Sequence, residues 1–491
     1  MKTYYKRNKF IMISWLSKKD FNKNSLCSKD YRELLTLNKN LFPLSDFITS
    51  KSVWKEIGSE SYMKKSKHRF LKTVNISDWF LLDETRVEYC KPENKIFPKK
   101  WDILIVKDGW WNWLWEVWYY NLDNENNYDS LSSWLIKITI KERKKFYVLW
   151  LLKSQHFKNY IDLNTAQGST IRHSKRIAID YQVPFPSKNN HQEPEKIENL
   201  VSLITQNLID KEEQIKLKNK IIDEKIEKEL RENQISWKYE YCFPTISWIR
   251  ETSRLDTWLY WQKFKEFYSL IKNYKNGYNN LCLDDLQWWN TPKIRIFEPV
   301  KKEFLWFIPT DINAWVLASK KYIKAQKYNL WKDFALLFSN RSNCWECILY
   351  SPEYYIWWHH NQWIYRKIIK KENFVENIFI LTLFNSKIFQ KIINNISTGS
   401  TFKELRIEQF VNISIPNFPE EKQQEIARQY YNKIEKNTDL TFENYLEKEK
   451  ERNSKLWIFQ LNMELFELRE TLENLIDKII MNEEINVDFW Y

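Results

Sequence analysis

The sequence predicts an α+β fold in which two repeated α+β domains are separated by long, antiparallel, coiled-coil-like helices. Three observations predict it: a forty-residue stretch with apolar residues at helical spacing, landmarks that recur at a nearly constant offset, and short strand-like runs between helical segments. Strands mixed with helices inside each half are typical of an α+β domain. A chain of 491 residues is long enough for two or more domains.

The stretch from Pro194 to Asn233 predicts a long helix, because it contains no glycine and no proline after its first residue. Its apolar residues recur at steps close to three and four, with Lys and Glu between them: Ile197, Val201, Ile204, Leu208, Ile215, Ile222 and Ile226. This spacing predicts an amphipathic helix with a coiled-coil-like seam. At 1.5 Å per residue it would span roughly 60 Å. We therefore expect a spacer that packs along another helix.

The first predicted domain, residues 1–190, opens with a short helix at residues 28–38. Strand-like runs follow at 70–76, 103–106 and 135–140, and the last of these alternates apolar and polar residues. A helix is expected at residues 146–160.

The second predicted domain, residues 237–418, repeats the order of the first. The matched landmarks are Asp102 with Asp333 (333 − 102 = 231), Ser154 with Ser386 (386 − 154 = 232), Gly168 with Gly399 (399 − 168 = 231) and Pro186 with Pro416 (416 − 186 = 230). A nearly constant offset over these landmarks indicates an internal duplication. The alternative is a pair of α+β domains that share only their composition.

Each predicted domain is followed by helix-forming sequence. We place the central spacer helix at residues 191–236 and the distal spacer helix region at residues 419–491. The chain order is therefore domain, helix, domain, helix. Two amphipathic helices of this kind can bury their seams against each other, and we expect an antiparallel pair.

The glycine and tryptophan counts are unusual. The chain has five glycines and twenty-six tryptophans, whereas glycine makes up about 7% of an average protein. Several tryptophans occupy positions where turns are expected, among them Trp79, Trp101 and Trp288. Because tight turns need residues that tolerate positive φ, we hypothesise that most of these tryptophans are glycines, encoded by UGA in a genome that reads this codon as glycine. The alternative is an aromatic platform that stacks on single-stranded bases.

The composition favours a polyanionic partner, since the formal net charge is +13 and the pI is about 9.1. Six cysteines in so long a chain make no disulfide framework. No apolar run reaches the roughly eighteen residues that suggest a membrane span. We therefore expect a cytoplasmic protein without membrane contact.

Motifs of common catalytic sites are missing from the sequence. It has no GxxxxGK[ST] phosphate loop, no GxGxxG after a strand and no GxSxG elbow. Cys344 and Cys347 with His359 and His360 are residue types that bind zinc, but their spacing fits no standard zinc finger. We expect no catalytic residue, no cofactor and no metal ion in this chain.

Each repeat contains a Gly-Ser-Thr turn followed by basic residues, and a basic residue also follows the apolar strand. Glycine lets backbone amides approach a phosphate, hydroxyl groups add short contacts, and arginine offers a bidentate contact to phosphate or guanine. The predicted DNA-binding residues are Lys107, Ser169, Thr170, Arg172, Lys175 and Arg176 in the first repeat, and Arg341, Ser400, Thr401, Lys403 and Arg406 in the second. The alternative is a solvated, lysine-rich surface. Recurrence at the same place in both repeats favours binding.

The arrangement resembles the specificity subunits of type I restriction–modification enzymes over nearly the whole chain. The resemblance is carried by ISTGSTFKELRIEQFVNISIPNFPEEKQQEIARQYYNKI at 396–434 and by its counterpart from Gly168 to Ile197, each associated with long helical sequence. The stretch KKWDILIVKDG at 99–109 also looks like the family's strand and turn. Two features depart from the family: the first repeat has PSKNNHQEPEK where the second has PNFPEEKQQ, and the turns carry tryptophan.

The resemblance implies a non-catalytic subunit whose two target-recognition domains each read half of a bipartite double-stranded DNA site. It implies paired helices that set the half-site spacing and dock adenine-N6 DNA methyltransferase subunits, expected to number two, with a restriction/translocase subunit as a further partner. A function of another class stays open: a stand-alone single-stranded nucleic-acid-binding or scaffold protein that uses its aromatic residues for stacking. A fragment of a fused methyltransferase–specificity enzyme is a third alternative.

Overall fold

The computed structural model describes these residues: 11–13, 32–53, 57–64, 66–76, 87–91, 97–110, 116–121, 128–165, 171–174, 176–188, 191, 193–235, 243–252, 261–281, 286–287, 303–308, 312–313, 316–317, 322–324, 333–341, 346–353, 358–360, 363–399, 403–431, 434–437, 439–485 and 487. Their helices and strands confirm the predicted α+β class. No helix in these ranges is both long enough and apolar enough to cross a membrane.

The chain divides into two compact units. Unit 1 comprises Met1–Glu213, Lys436–Ser454 and Leu465–Tyr491, and unit 2 comprises Gln214–Glu435 and Lys455–Glu464.

The elements up to the long helix are the strands β1 Ile11–Ile13, β2 Arg32–Leu34, β3 Leu41–Pro43, β4 Ile48–Val53, β5 Tyr62–Met63, β6 His68–Leu71, β7 Glu88–Cys90, β8 Ile103–Val106, β9 Asp108–Trp110, β10 Val117–Tyr119, β11 Tyr128–Leu131, β12 Leu135–Ile140, β13 Ile171–His173 and β14 Gln182–Pro184, and the helices α1 Lys145–Lys153, α2 Gln155–Asn164 and α3 Pro194–Glu232.

The elements after it are the helices α4 Ile246–Thr252, α5 Gln262–Lys272, α6 Phe374–Asn385, α7 Lys387–Ile396, α8 Ile407–Val411, α9 Glu420–Tyr430, α10 Tyr445–Lys455 and α11 Ile458–Met481, and the strands β15 Tyr278–Asn280, β16 Leu286–Gln287, β17 Glu303–Phe307, β18 Ile312–Asn313, β19 Val316–Leu317, β20 Tyr322–Lys324, β21 Ala335–Ser339, β22 Cys347–Tyr350, β23 Trp358–His360, β24 Ile364–Ile368 and β25 Ser414–Pro416.

Each unit contains a four-stranded sheet with the same strand order. The order is β10-β8-β12-β4 in unit 1 and β22-β21-β24-β16 in unit 2. The strand β8 pairs antiparallel with β10 and β12, and β21 pairs antiparallel with β22 and β24. Every residue of β8 and of β21 is buried, which explains why both strands appear in the sequence as continuous apolar runs. The shared strand order confirms the internal duplication.

A serine separates the two helices that follow the sheet in each unit. Ser154 lies between α1 and α2, and its Oγ accepts a hydrogen bond from the backbone N of Phe157 at 3.4 Å. Ser386 accepts the same bond from Phe389, also at 3.4 Å, between α6 and α7. Serine is a preferred helix N-cap, and its extended backbone ends the preceding helix. The single helix predicted at residues 146–160 is therefore wrong: two helices are present.

The short helix predicted at residues 28–38 is also wrong over its described part. The strand β2 pairs antiparallel with β1, and the backbone N atoms of Leu37 and Asn38 both donate to the carbonyl of Ile480 at 3.0 Å. An isolated helix of this length is marginal in water. Here the backbone groups form hydrogen bonds with distant parts of the chain. The segment therefore does not form the helix that its local sequence pattern favours.

The helix α3 confirms the predicted seam, since every predicted seam residue is buried. In unit 1, α11 runs antiparallel to it. His191 Nε2, just before α3, lies 3.1 Å from the carbonyl O of Glu483, just after α11. Further along α3, Glu212 accepts a hydrogen bond from Arg469 at 2.8 Å. In unit 2, Lys218 Nζ lies 5.2 Å from the centre of the Trp457 ring.

Trp101 has a backbone conformation that favours glycine. Its φ is +80°, in the left-handed region that costs a non-glycine residue roughly 1–2 kcal/mol. Gly277, at +72°, occupies the same region. Trp118 differs, because it is fully buried in β10 and packs edge-on against Tyr120 at 5.4 Å. Trp101 thus fits the glycine hypothesis and Trp118 does not, and the codon hypothesis itself stays a prediction.

Candidate nucleic-acid interface

In unit 1, two of the segments predicted to bind DNA lie side by side. The strand β9 pairs antiparallel with β13, so that Asp108 faces His173. The backbone N and the Oγ of Ser174 both donate to the carbonyl O of Lys107, at 2.7 and 3.0 Å. The loop after the apolar strand β8 is thereby held against the segment that follows the Gly-Ser-Thr turn.

Lys107, Asp108 and His173 form a charged cluster on these two segments. Lys107 Nζ lies 3.4 Å from Asp108 Oδ2, and His173 Nδ1 lies 2.9 Å from Asp108 Oδ1. The His173 side chain is 59% exposed. Asp108 and His173 were not among the predicted site residues, because the pattern that predicted the site consists of a Gly-Ser-Thr turn with Lys and Arg. Both are adjacent to predicted site residues. The carboxylate reduces the positive charge that Lys107 offers to a phosphate.

Arg172 is occupied inside the domain. Its side chain is buried, and the guanidinium donates to Asp162 Oδ1 at 2.8 Å and to the carbonyl O atoms of Asp162 and Thr165 at 3.0 and 3.2 Å. These contacts tie β13 to the end of α2. The guanidinium of Arg172 therefore lies inside the domain and holds β13 in position, and the predicted DNA contact of this residue stays a prediction.

Unit 2 brings the equivalent segments together. Arg341 and Glu404 are antiparallel bridge partners, and the backbone N of Leu405 donates to the carbonyl O of Asn340 at 2.8 Å. The guanidinium carbon of Arg341 lies 4.2 Å from the centre of the Trp363 ring, which is a cation–π arrangement. Lys403, which is half-buried, directly precedes Glu404. Two predicted residues, Arg341 and Lys403, thus lie on adjacent segments.

Backbone hydrogen bonds define which positions of the two repeats are equivalent. The N atom of Lys107 donates to Trp134 O at 2.9 Å, and that of Asn340 donates to Trp363 O at 3.0 Å. Lys107 therefore corresponds to Asn340, and Arg341 corresponds to Asp108. The predicted match of Lys107 with Arg341 is off by one residue, because β21 has five residues and β8 has four.

Arg176 and Arg406, which the sequence repeat matches, each begin a helical turn. The carbonyl O of Arg176 accepts from the backbone N of Ile179 and Asp180 at 2.8 and 3.3 Å, and that of Arg406 accepts from Gln409 and Phe410 at 3.0 and 2.9 Å. Both side chains are exposed. An exposed arginine therefore begins a helical turn in each domain.

Five predicted site residues lie outside the described residues: Ser169, Thr170, Lys175, Ser400 and Thr401. Gly399, at the second Gly-Ser-Thr turn, is exposed and has φ of +100°. A residue with a side chain rarely adopts this conformation, so the turn requires glycine.

The described residues contain no group of three or more His, Cys, Asp or Glu side chains that could hold a metal ion. Cys347 is buried in β22, and burial raises the pKa of its thiol well above the usual range. Zinc binds the thiolate, so this environment disfavours Cys347 as a ligand. Cys344 and the side chains of His359 and His360 lie outside the described part.

No protein-family model matches the sequence, and no curated protein sequence matches it. Among solved structures, it is similar to the S subunit of a type I restriction–modification system from M. genitalium, with 14% identity, 91% of this chain and 97% of that chain covered, and a TM-score of 0.40. A chain from a structure on complex assembly and conformational transition of the type I restriction–modification system is 11% identical, with 91% and 98% covered and a TM-score of 0.28. The HsdS subunit from Thermoanaerobacter tengcongensis is 11% identical, with 90% and 96% covered and a TM-score of 0.27.

Proposed function

We propose that this chain is the sequence-specific DNA-binding specificity subunit of a type I restriction–modification complex. Residues 1–190 and 237–418 act as target-recognition domains, each for half of a bipartite double-stranded DNA target. Residues 191–236 and 419–491 supply spacer helices, which also dock adenine-N6 DNA methyltransferase subunits. The chain is not itself catalytic, and its partners bind the methyl donor.

The observation that carries the proposal is a duplicated surface with a constant part and a variable part. Arg176 and Arg406 each begin a helical turn in their repeat and have the same chemistry. Beside them, the cross-strand pair Asp108–His173 in one repeat is replaced by Arg341–Glu404 in the other. A phosphate contact carries no sequence information and should be shared by both domains, whereas residues that read different bases should differ. The shared arginines fit the role of phosphate contacts, and the cross-strand pair that differs between the repeats fits the role of base contacts.

The variable positions carry groups suited to base edges. Arg341 offers a guanidinium that pairs in a bidentate manner with guanine, and its stacking on Trp363 limits the orientations of that group. Asp108 and His173 in unit 1 offer an acceptor and an imidazole at the equivalent place. The two domains would therefore read different half-sites.

The alternative of a single-strand stacking platform is less well supported. Trp118 and Trp150 are buried, and a buried indole presents no face to a base. Trp363 is already covered on one side by Arg341.

The proposal is tested by co-purifying the chain with an adenine-N6 methyltransferase subunit from the same genome and sequencing the methylome of the co-expressing cells. We expect N6-methyladenine at one bipartite motif, and neither protein alone should produce it. Failure of the two proteins to associate, or methylation by the isolated chain, would contradict the proposal.

A further inference from the structure

The apolar seam of α3 is interrupted at two places, and the first lies between Leu208 and Ile215. Its residues step by three or four as far as Leu208, but the next one is Ile215, seven positions on. A helical seam would place an apolar residue between them. Lys211 and Glu212 stand there instead, and they are 0% and 1% exposed. Buried charges are costly unless they are paired.

Lys211 belongs to a set of four side chains, Asn207, Lys211, Glu449 and Asn453, that we call the buried polar layer. None of them is more than 3% exposed. Asn207 Nδ2 donates to Glu449 Oε2 at 3.2 Å, and Asn453 Nδ2 donates to Asn207 Oδ1 at 2.8 Å. Lys211 Nζ donates to Asn453 Oδ1 at 2.7 Å and lies 3.7 Å from Glu449 Oε2.

Residues around the layer complete its hydrogen bonding. Asn207 Nδ2 also donates to Tyr445 OH at 2.8 Å, and Asn453 Nδ2 also donates to Asp210 Oδ2 at 2.7 Å. Glu449 Oε1 accepts a hydrogen bond from Asn437 Nδ2 at 3.0 Å, and Arg452 Nη1 lies 3.6 Å from Glu449 Oε2. A buried network in which each member has partners imposes one geometry, because every alternative leaves polar atoms unpaired.

We propose that the buried polar layer fixes the register of α10 against α3 within unit 1. Asn207 and Lys211 are four residues apart on α3, and Glu449 and Asn453 are four residues apart on α10. The two helices run in the same direction, since their contacts advance together. A shift of α10 by one turn removes the α3 partners of either Glu449 or Asn453. An apolar seam would tolerate such a shift far better, whereas buried polar residues in helix pairs specify one register.

The inference concerns helix pairing in unit 1 and does not rest on the proposed DNA-binding function. It is tested by distance measurement on the full chain. Spin labels are attached through unnatural amino acids at Asn199 on α3 and Glu451 on α10, both exposed. The wild-type chain should give one narrow distance distribution.

The layer is then made apolar by Asn207→Leu, Lys211→Met, Glu449→Met and Asn453→Leu, with Arg452→Met because its guanidinium lies 3.6 Å from the Glu449 carboxylate. Replacing a buried ionic network by apolar residues of similar volume is often neutral or stabilising. We expect a folded chain whose distance distribution is broad or has several maxima, separated by about 5 Å, the rise of one helical turn. A single narrow maximum at the wild-type distance would overturn the proposal.

A milder pair of variants tests the same inference if the apolar chain does not fold. Lys211→Met and Glu449→Gln each remove one charge, and they are combined in a double-mutant cycle read by the free energy of unfolding of the full chain. If the layer acts across α3 and α10, the double variant should lose much less than the sum of the single losses. Additive losses would mean that the two residues act separately, and the proposal would fail.

Discussion

Arg176 and Arg406 each begin a helical turn in their repeat, through a backbone carbonyl that accepts hydrogen bonds from the residues three and four positions ahead. The side chains are exposed in both cases, while the residues across the neighbouring strands differ in charge between the repeats. This relationship distinguishes surface positions that the two repeats share from surface positions that differ between them.

Arg176→Ala and Arg406→Ala should each weaken DNA binding by a similar factor on all sequences. If each arginine contacts a phosphate, its loss removes about one released counterion and flattens the salt dependence of binding accordingly. Gel-shift titrations of the assembled complex over a series of salt concentrations measure both quantities. Lys371→Ala removes the same charge from an exposed position away from these segments, and it should leave the salt slope nearly unchanged. Unchanged affinity in both arginine variants would show that these turns face solvent.

Arg341→Ala should act on one half-site only. Loss of a bidentate guanine contact costs roughly 1–3 kcal/mol and relaxes specificity at a single base pair. Binding to a panel of singly substituted targets measures this. Arg406→Ala serves as the matched control in the same unit, since it should weaken all targets equally. A uniform loss with Arg341→Ala would assign this residue to phosphate as well.

Arg172→Ala should destabilise the chain without changing base preference. The substitution removes the guanidinium that donates to Asp162 Oδ1 and to the carbonyl O atoms of Asp162 and Thr165. Breaking a buried ion pair costs about 3–5 kcal/mol, and the partial exposure of Asp162 places the loss at about 3 kcal/mol. Urea denaturation measures it. The exposed neighbour Arg176→Ala should change the free energy of unfolding by less than about 0.5 kcal/mol.

Trp101→Gly should leave stability unchanged or raise it by about 1 kcal/mol, because glycine removes the strain at φ of +80°. Its ring contacts, to Tyr119 at 4.9 Å among others, offset part of this gain. Thermal and urea denaturation provide the measurement. Trp118→Gly is the control and should cost about 4 kcal/mol or more, since it empties a buried site. A loss of several kcal/mol at Trp101 would contradict the interpretation, and intact mass of the natural protein tests the codon hypothesis directly.

Stability should fall as the pH decreases from about 6.5 towards 4, because of His156. Burial lowers the pKa of this imidazole to about 4, and its ring nitrogens contact Thr36 Oγ1 at 3.0 Å and Tyr181 OH at 2.7 Å. The unfolded chain takes up the proton first, near pH 6.5, so the neutral folded form loses its advantage as pH falls. The difference between these pKa values corresponds to on the order of 3 kcal/mol.

Urea denaturation at pH 5 and pH 7.5 checks this contribution. His156→Gln should reduce the difference in unfolding free energy between the two pH values. Equal pH dependence of the variant and the wild type would rule out the assignment.

Local patterns in the sequence were sufficient for much of the architecture. The seam of α3 could be predicted from the helical period alone. The strands β8 and β12 could be predicted from runs of apolar residues that must be buried. The duplication was visible because Ser154 and Ser386 cap equivalent helices and because similar sequences precede Pro186 and Pro416. The match of these two prolines is off by two residues, since the strand pairing gives Pro184 the position of Pro416. Such features are encoded by neighbours in the chain, so a reader of the sequence can find them.

Other features were decided by partners distant in the sequence. Residues 32–34 form a strand because β1 pairs with them, although their own pattern favours a helix. Arg172 is buried because Asp162 and the end of α2 meet it, while Arg176, four residues on, stays exposed. The charge on Lys211 reads as solvated in the sequence, yet α10 covers it with Glu449 and Asn453. Burial and ion pairing depend on contacts between residues that are distant in the sequence. Only the tertiary structure therefore determines which charged side chains stay exposed and can bind a ligand.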